Sequence, residues 1–441
     1  MRSHATVCTA LALATTLATH AQWDPNNGQW GKADPTDLRV MTWNVEDNIR
    51  TDESKIETAN AWTAIARTIA AMKPDILILQ ECGDNGFVGG VDSVGDLTTV
   101  CELLIHGGAD PFLGGTVGAY VQKYDASFDL PYIFVSADTD SFNRNVILSR
   151  YPFSDLNGDA QAQFHDINIL ADAYAPGGDG GIRGFMVAEI DLDDAIWAGD
   201  VVVGNSHLKA GGSGSDLDDR EEAAQNIAYF IDYQYNGAGT GTPDPNFKVR
   251  IGNPSVILNN VTPFVWGGDW NEDEATNGRK GPAEWMTLAE FAGGTDGTDR
   301  DTTDAVYDNA SDPFTGDTDT RGSAKLDYLA WPDSVTTSRN EWIFNTASMS
   351  AQQVPPEFQI SGWTLYSGRA SDHLAVLVDL VMAPASPPCP SDLDGSGTVD
   401  GADLGLLLGA WATPGPGDLD GSGSVGGGDI GILLGDWGPC P

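Results

Sequence analysis

The stretch Phe264–Glu274, "FVWGGDWNEDE", ends a strand-like apolar run on two glycines and sets Asp269 and Asn271 directly behind them. Gly, Asp and Asn are ordinary turn residues, so one reading is a strand that simply turns. The other is a strand end where a carboxylate and a carboxamide face a phosphate or a metal. The surrounding chain decides between them.

Seven further runs have the same character: "LRVMTWN" (38–44), "DILILQE" (75–81), "NVILSRY" (145–151), "FMVAEIDL" (185–192), "VVVGNSHL" (201–208), "LDYLAW" (326–331) and "LAVLVDLV" (374–381). Many are apolar throughout, as expected of strands buried between layers. In residues 56–74, Trp62, Ile65, Ala66, Ile69 and Met72 follow helical spacing, and Pro74 stops the helix. A second helix is predicted over 216–233, with acids in its first turn and Ile227, Phe230 and Ile231 on one face. The order predicts an α/β fold, a sandwich of two packed β-sheets with helices outside. Segments 83–141 and 155–181 match no motif and stand as long insertions.

Residues 1–21 carry Arg2, a short apolar run and then small residues, the pattern of a secretory signal cleaved near Ala21. That run is too short for a membrane span, and no later segment qualifies, so an exported protein without a transmembrane anchor is expected. Cys8 leaves with the signal, and four thiols remain in an oxidising compartment: Cys82, Cys101, Cys389 and Cys440. They allow three pairings, and local pairing favours Cys82–Cys101 and Cys389–Cys440. Without any Cys-x-x-Cys, a thiolate zinc site is not expected.

The formal net charge is −42, with 22 Lys and Arg against 64 Asp and Glu. A field of that sign repels polyanions at low salt, and it serves solubility in salty surroundings equally well. The Pro-rich linker "APASPPCP" begins at 383 and divides a large domain, 22–382, from a small one, 389–441.

Polar residues gather at the C-terminal ends of several strands before the linker, where such folds collect their sites. They are Asn44 and Glu46, Glu81, His207, Asp269 and Asn271, Asp327, and Asp372 with His373. Each alone reads as a cap, a turn residue or a structural histidine, and His106 and His165 keep that plain reading. Together and in this order they closely resemble the endonuclease/exonuclease/phosphatase superfamily, which includes the DNase I-like nucleases. The resemblance runs from about Leu38 to Met382 and rests on "TWN", "QE", "GDWN", "LDY" and "SDH".

That resemblance implies a four-layered α/β sandwich and a metal-dependent phosphoric-ester hydrolase, first of all a DNase I-like extracellular nuclease. A phosphodiesterase or phosphatase on nucleotides, phospholipid or sugar-phosphate headgroups is the alternative, and a catalytically silent binding module the third reading. The resemblance implies Asn44 and Glu81 as ligands of a divalent cation, with Glu46 and Asp372 as further acidic ligands. Hard oxygen donors suit Mg²⁺ or Mn²⁺ better than zinc. Asp327 would orient His373, while Asp269 and Asn271 would align the attacking water and bind phosphate. The base is His373, with His207 as acid, in the DNase-like pattern; it is Asp269 in the abasic-site pattern. Arg144, in "FNRNVILSR", would bind phosphate, with Arg150 and Lys209 as competing candidates.

After the linker the chain repeats itself, with "DLDGSGTVDGADLGLLLGAW" from Asp392 and "DLDGSGSVGGGDIGILLGDW" from Asp418. As a twelve-residue calcium loop the first copy offers Asp392, Asp394, Ser396, Thr398 (through its carbonyl), Asp400 and Asp403. The second offers Asp418, Asp420, Ser422, Ser424 and Asp429, but Gly426 supplies no side chain at the ninth position. Two half-EF-hand loops, each followed by one helix, resemble a type I dockerin. This implies a small all-α domain binding two Ca²⁺ ions, with a cohesin-domain protein as partner.

Overall fold

The computed structural model describes residues 23–83, 91–139, 142–167, 183–235, 257–287, 305–385 and 389–440. The expected signal at 1–21 and residues 386–388 of the linker lie outside them. Among the described residues twelve strands build the two main sheets of the large domain: β1 (Leu38–Asn44), β2 (Ile76–Cys82), β3 (Tyr132–Val135), β4 (Arg144–Ser149), β5 (Gln163–Ile167) and β6 (Arg183–Ile190). They continue with β7 (Val201–His207), β8 (Phe264–Asp269), β9 (Ala305–Tyr307), β10 (Asp327–Pro332), β11 (Thr337–Phe344) and β12 (Ala375–Val381).

These form two six-stranded sheets, ordered β11-β12-β1-β2-β4-β3 and β9-β10-β8-β7-β6-β5. Each has one parallel pair, and in each it is central: β1 with β2, and β7 with β8. The β12–β1 and β8–β10 pairs are antiparallel. The last residues of the four central strands therefore share one end of the sandwich with the start of β10 and the approach to β12.

Side-chain alternation sorts the apolar residues into layers. Val40, Ile76, Ile78, Val203, Val265 and Leu329 meet between the sheets. Met41, Trp43, Leu77 and Leu79 face outward onto α1 (Ala61–Met72) and α2 (Val94–His106). Val187, Val202, Phe264 and Trp266 pack on α3 (Gly214–Tyr229) and α4 (Pro282–Thr287). Helices, sheet, sheet and helices follow one another around three apolar cores, matching the sandwich expected from the sequence.

Asn60 caps α1 by accepting from the Thr63 amide, and Lys73 ends it in the left-handed conformation just before Pro74. A capping box of Ser213 and Asp216 starts α3, whose final turns widen over Phe230–Tyr235. The insertion at 83–141 contains α2 and β3, and β5 lies within 155–181.

In the last segment α5 (Gly401–Gly409) and α6 (Gly427–Gly435) enclose a small core of Val399, Leu407, Val425 and Leu433. Cys389 and Cys440 are bridged, as expected. Cys82 and Cys101 are not: both are buried free thiols, one at the end of β2 and one on the inner face of α2. Burial pushes the Cys101 thiol up to about 12 and raises Cys82 as well, so each acts as a small apolar core residue. Among the described residues no helix is long and apolar enough to cross a membrane.

Candidate active site

The glycines of "WGGDW" are required by the sheet. A Cβ on Gly267 would lie 2.4 Å from the Tyr328 carbonyl oxygen, and one on Gly268 only 1.7 Å from that of Ser206. Neighbouring backbones thus close tightly around the end of β8. The register then sets three functional groups side by side, with His207 of β7 beside Asp269 of β8, and Asp269 beside Asp327 of β10.

The facing sheet contributes from the same end. Asn44 closes β1 and donates through Nδ2 to Asp269 Oδ2 at 2.9 Å, while its own Oδ1 accepts from the Glu46 amide. Pairing between β2 and β4 shifts register between Leu79 and Cys82, and Glu81 sits on that irregularity with φ +55°. Seven non-glycine residues have left-handed backbone among the described residues, and four of them, Glu46, Asp47, Glu81 and Asn271, lie at this cleft. Such conformations concentrate where surrounding structure over-determines a functional geometry.

Asp269 Oδ2 is the centre of the arrangement. His207 Nε2 lies 3.4 Å from it and His373 Nε2 3.6 Å, and His207 Nε2 is also 3.7 Å from Glu81 Oε1. His373 Nδ1 pairs with Asp327 Oδ2 at 2.8 Å, which fixes the ring. Ser371 holds the same segment: its hydroxyl donates to the Asn44 carbonyl and accepts from the His373 amide. The Asn271 amide donates to Asp269 Oδ1, and its Nδ2 to the Leu208 carbonyl. Beneath the cleft, Gln80 donates to Asn205, which donates to the carbonyls of Leu79 and Val146 and so ties the two sheets together.

Burial works to lower the His373 pKa, but the Asp327 charge and hydrogen bond, with Asp269 and Asp372 beyond, raise it to about 9. Asp269 is raised too, which for a carboxylate favours the neutral form. Burial first and then the Asp327 charge raise it to about 7, against the pull of His373 and the Asn44 hydrogen bond. Burial, followed by the charges of Asp372 and Glu81, also raises Glu46.

The donors fit a hard divalent cation. Single ligand atoms of Glu81, His207 and Asp269 lie within 4.8 Å of one another, and those of Asp269, Asp327 and His373 do the same. Asp327 Oδ1 is buried with no hydrogen-bond partner. Crowded carboxylates, a raised Asp269 and an orphaned oxygen are the electrostatics that a bound cation relieves.

Asn44, Glu46, Glu81, His207, Asp269, Asn271, Asp327, Asp372 and His373 thus meet at one end of the sandwich. Asp372 Oδ1 lies 3.8 Å from His373 Nε2, and its other oxygen meets an arginine that the sequence reading did not single out. Its Oδ2 takes Arg321 Nε at 2.8 Å and Nη2 at 2.6 Å, while its amide donates to Glu46. Arg144 needs correction as a phosphate ligand: Nε donates to the Asp92 carbonyl, and Nη1 to those of Ser136, Ala137 and Asp138. It clamps loops. Arg150 pairs with the buried Asp75 at the opposite end of the strands.

In the last segment, ligand atoms of Asp392, Asp394 and Asp403 cluster, as do those of Asp418, Asp420 and Asp429. Loop amides bind these carboxylates, with Gly397 donating to Asp392 and Gly423 to Asp418. Ser396 and Ser422 donate to the Thr398 and Ser424 carbonyls. Asp400 instead caps α5 through the Ala402 amide.

No family model and no curated protein matches the chain. Among solved structures it is similar to an endonuclease/exonuclease/phosphatase from Beutenbergia cavernae, at 19% identity and a TM-score of 0.44, over 80% of this chain and 73% of that one. The human Nocturnin catalytic domain with bound sulfate anion has 12% identity and a TM-score of 0.42, over 79% and 94%. For an endonuclease/exonuclease/phosphatase from Bacteroides vulgatus the figures are 14% and 0.42, over 78% and 99%. Likeness of this degree carries no chemistry, which comes from the side chains alone.

Proposed function

We propose that the chain is a secreted, divalent-metal-dependent phosphoesterase that hydrolyses phosphodiester bonds in the manner of DNase I-like nucleases. The observation that carries this reading is the in-register row of His207, Asp269 and Asp327, closed from the facing sheet by Asn44, Glu81 and His373. Mg²⁺ or Mn²⁺, held by Glu81 with Asn44 and Glu46, would polarise a phosphoryl oxygen and offset developing charge. Asp269, fixed by the Asn44 side chain and the Asn271 amide beside His207, is placed to take the proton from the attacking water. His373, raised to about 9 and oriented by Asp327, stays an imidazolium at neutral pH and stabilises the anionic transition state. His207 stands between Asp269 and Glu81 to protonate the leaving oxygen, and Asn271 orients the phosphate.

The charge of −42 favours a second reading, in which the substrate is a nucleotide, lipid headgroup or sugar phosphate. A long nucleic acid needs several Lys or Arg contacts to its phosphates. Purified protein with Mg²⁺, Mn²⁺ or Ca²⁺ should be assayed on plasmid DNA, RNA, bis-p-nitrophenyl phosphate and sphingomyelin. Metal-dependent hydrolysis of at least one is expected, and inactivity on all four would overturn the assignment.

The segment from Cys389 completes the proposal as a dockerin-like module with two Ca²⁺ sites, tethering the enzyme to a cohesin-type partner. Support comes from the two aspartate clusters and from a duplicated apolar face. Leu406, Leu408 and Trp411 are exposed, and so are Ile432, Leu434 and Trp437, each 26 residues later.

A further inference from the structure

Arg321 stands on a tight turn that is anchored to the cleft from both sides. The Arg321 and Ala324 amides each donate to the other's carbonyl, closing the turn. The neighbouring Thr320 hydroxyl accepts from the Leu326 and Asp327 amides. The Thr320 carbonyl accepts from Leu374, next to His373. The backbone under Arg321 is therefore fixed against the two segments that carry Asp327 and His373, as a preorganised binding group requires.

Its guanidinium is presented to the cleft mouth. Nε and Nη2 both bind one oxygen of Asp372, and the side chain is 49% exposed. Its charge acts on Asp372, Asp269 and Glu81, and it partly offsets the burial and repulsion that raise Glu46. A half-exposed ion pair of this kind is weak and readily exchanged. A planar guanidinium fork matches two phosphate oxygens as well as it matches a carboxylate.

We propose that Arg321 receives the substrate phosphate, and that Asp372 holds its guanidinium at the mouth until the phosphate replaces it. The inference rests on the phosphoesterase reading and refines its substrate class. One guanidinium beside so many carboxylates recognises a single phosphate, as in a small phosphoester, rather than a run of phosphates along a duplex. A phosphate entering between Glu46, Glu81 and Asp269 needs a cation to offset like-charge repulsion, and Arg321 supplies it at the point of entry.

The test uses the full chain with bis-p-nitrophenyl phosphate as substrate and inorganic phosphate as inhibitor. Arg321→Ala should raise KM and the phosphate inhibition constant together, by roughly 10- to 100-fold, the usual loss for charge-assisted hydrogen bonds. Arg321→Lys should recover only part, because an ammonium keeps the charge and loses the fork. Arg339→Ala, removing a surface arginine paired with Asp37, should leave both constants unchanged. Asp372→Asn should tighten phosphate inhibition, and the gain should vanish in the double variant with Arg321→Ala.

Calorimetry of phosphate binding separates this inference from the functional reading. Phosphate bound by the wild type and not by Arg321→Ala supports the inference even if no ester is hydrolysed. Wild-type KM and phosphate affinity in Arg321→Ala would overturn it. So would a loss confined to kcat with a lowered melting temperature, which marks a structural role. If Arg321→Ala does not fold, Arg321→Gln keeps much of the side-chain length and must show the same loss of phosphate affinity.

Discussion

The two regions of this chain carry their carboxylates in opposite ways. In the large domain three apolar cores define the sandwich, and the cleft acids stand on strand ends that the cores have already fixed. In the last segment four buried side chains form the core beside eight aspartates, with one disulfide across the termini. The first region can tolerate charge repulsion because burial elsewhere holds it; on the proposed dockerin-like reading the second would need bound cations to remove that repulsion. A core so small is marginal unless metal or cross-links add to it.

The largest expected effect follows from that contrast. Chelating Ca²⁺ with EGTA under reducing conditions should expose the backbone amides of α5 and α6 to rapid hydrogen exchange. Those of β1, β2, β7 and β8 should remain protected in the same sample. Protection retained in both regions would mean that the aspartate loops need no ion.

Next in size is catalysis. His373→Ala should lower turnover on the best substrate by roughly 10² or more, the usual loss when a preorganised electrostatic stabiliser of the transition state is removed. Its melting temperature should change little once metal is bound. Unchanged turnover would remove His373 from the mechanism.

A smaller effect concerns pH. The folded His373 pKa, about 9, lies above the unfolded value, so the folded state holds the proton more tightly. Its contribution to stability is complete below an unfolded pKa of about 6.5 and is lost as pH rises through about 9. In metal-free protein the melting temperature of the wild type relative to His373→Gln should therefore fall by a few degrees across that window. A flat difference would deny the Asp327–His373 ion pair.

The smallest contrast lies within the last segment. Asp400 accompanies the first aspartate cluster and Gly426 the second, so calcium titration should resolve a weaker second site. Two sites of equal affinity would show that the ninth position contributes nothing.

What the sequence reveals follows the same physics. The eight strands legible from apolar runs are the eight interior strands of the two sheets. The four it hides, β3, β5, β9 and β11, are the four edges: polar residues interrupt "QFHDI" and "TSRNEWIF", while "YIFV" and "AVY" are short. Site residues on interior strand ends were readable for the same reason. Arg321 was not, because its polar turn is brought to the cleft by the Thr320 hydrogen bonds and the Asp372 ion pair, which no local pattern reveals. Arg144 looked free in sequence because nothing local reveals the carbonyls of Ser136, Ala137 and Asp138 that fold around it. Neither does sequence proximity reveal that Cys82 and Cys101 stay unbridged.

The acids and imidazoles around Asp269 are the proposed metal-dependent phosphoesterase centre. That assignment is tested most directly by the initial rate of bis-p-nitrophenyl phosphate hydrolysis during a Mn²⁺ titration of the wild type and of Glu81→Gln. The account predicts saturable, EDTA-reversible activation of the wild type, and in Glu81→Gln a rate at least roughly 10²-fold lower at every Mn²⁺ concentration, with the fold intact. Metal-independent turnover, or identical titration curves for the two proteins, would contradict it.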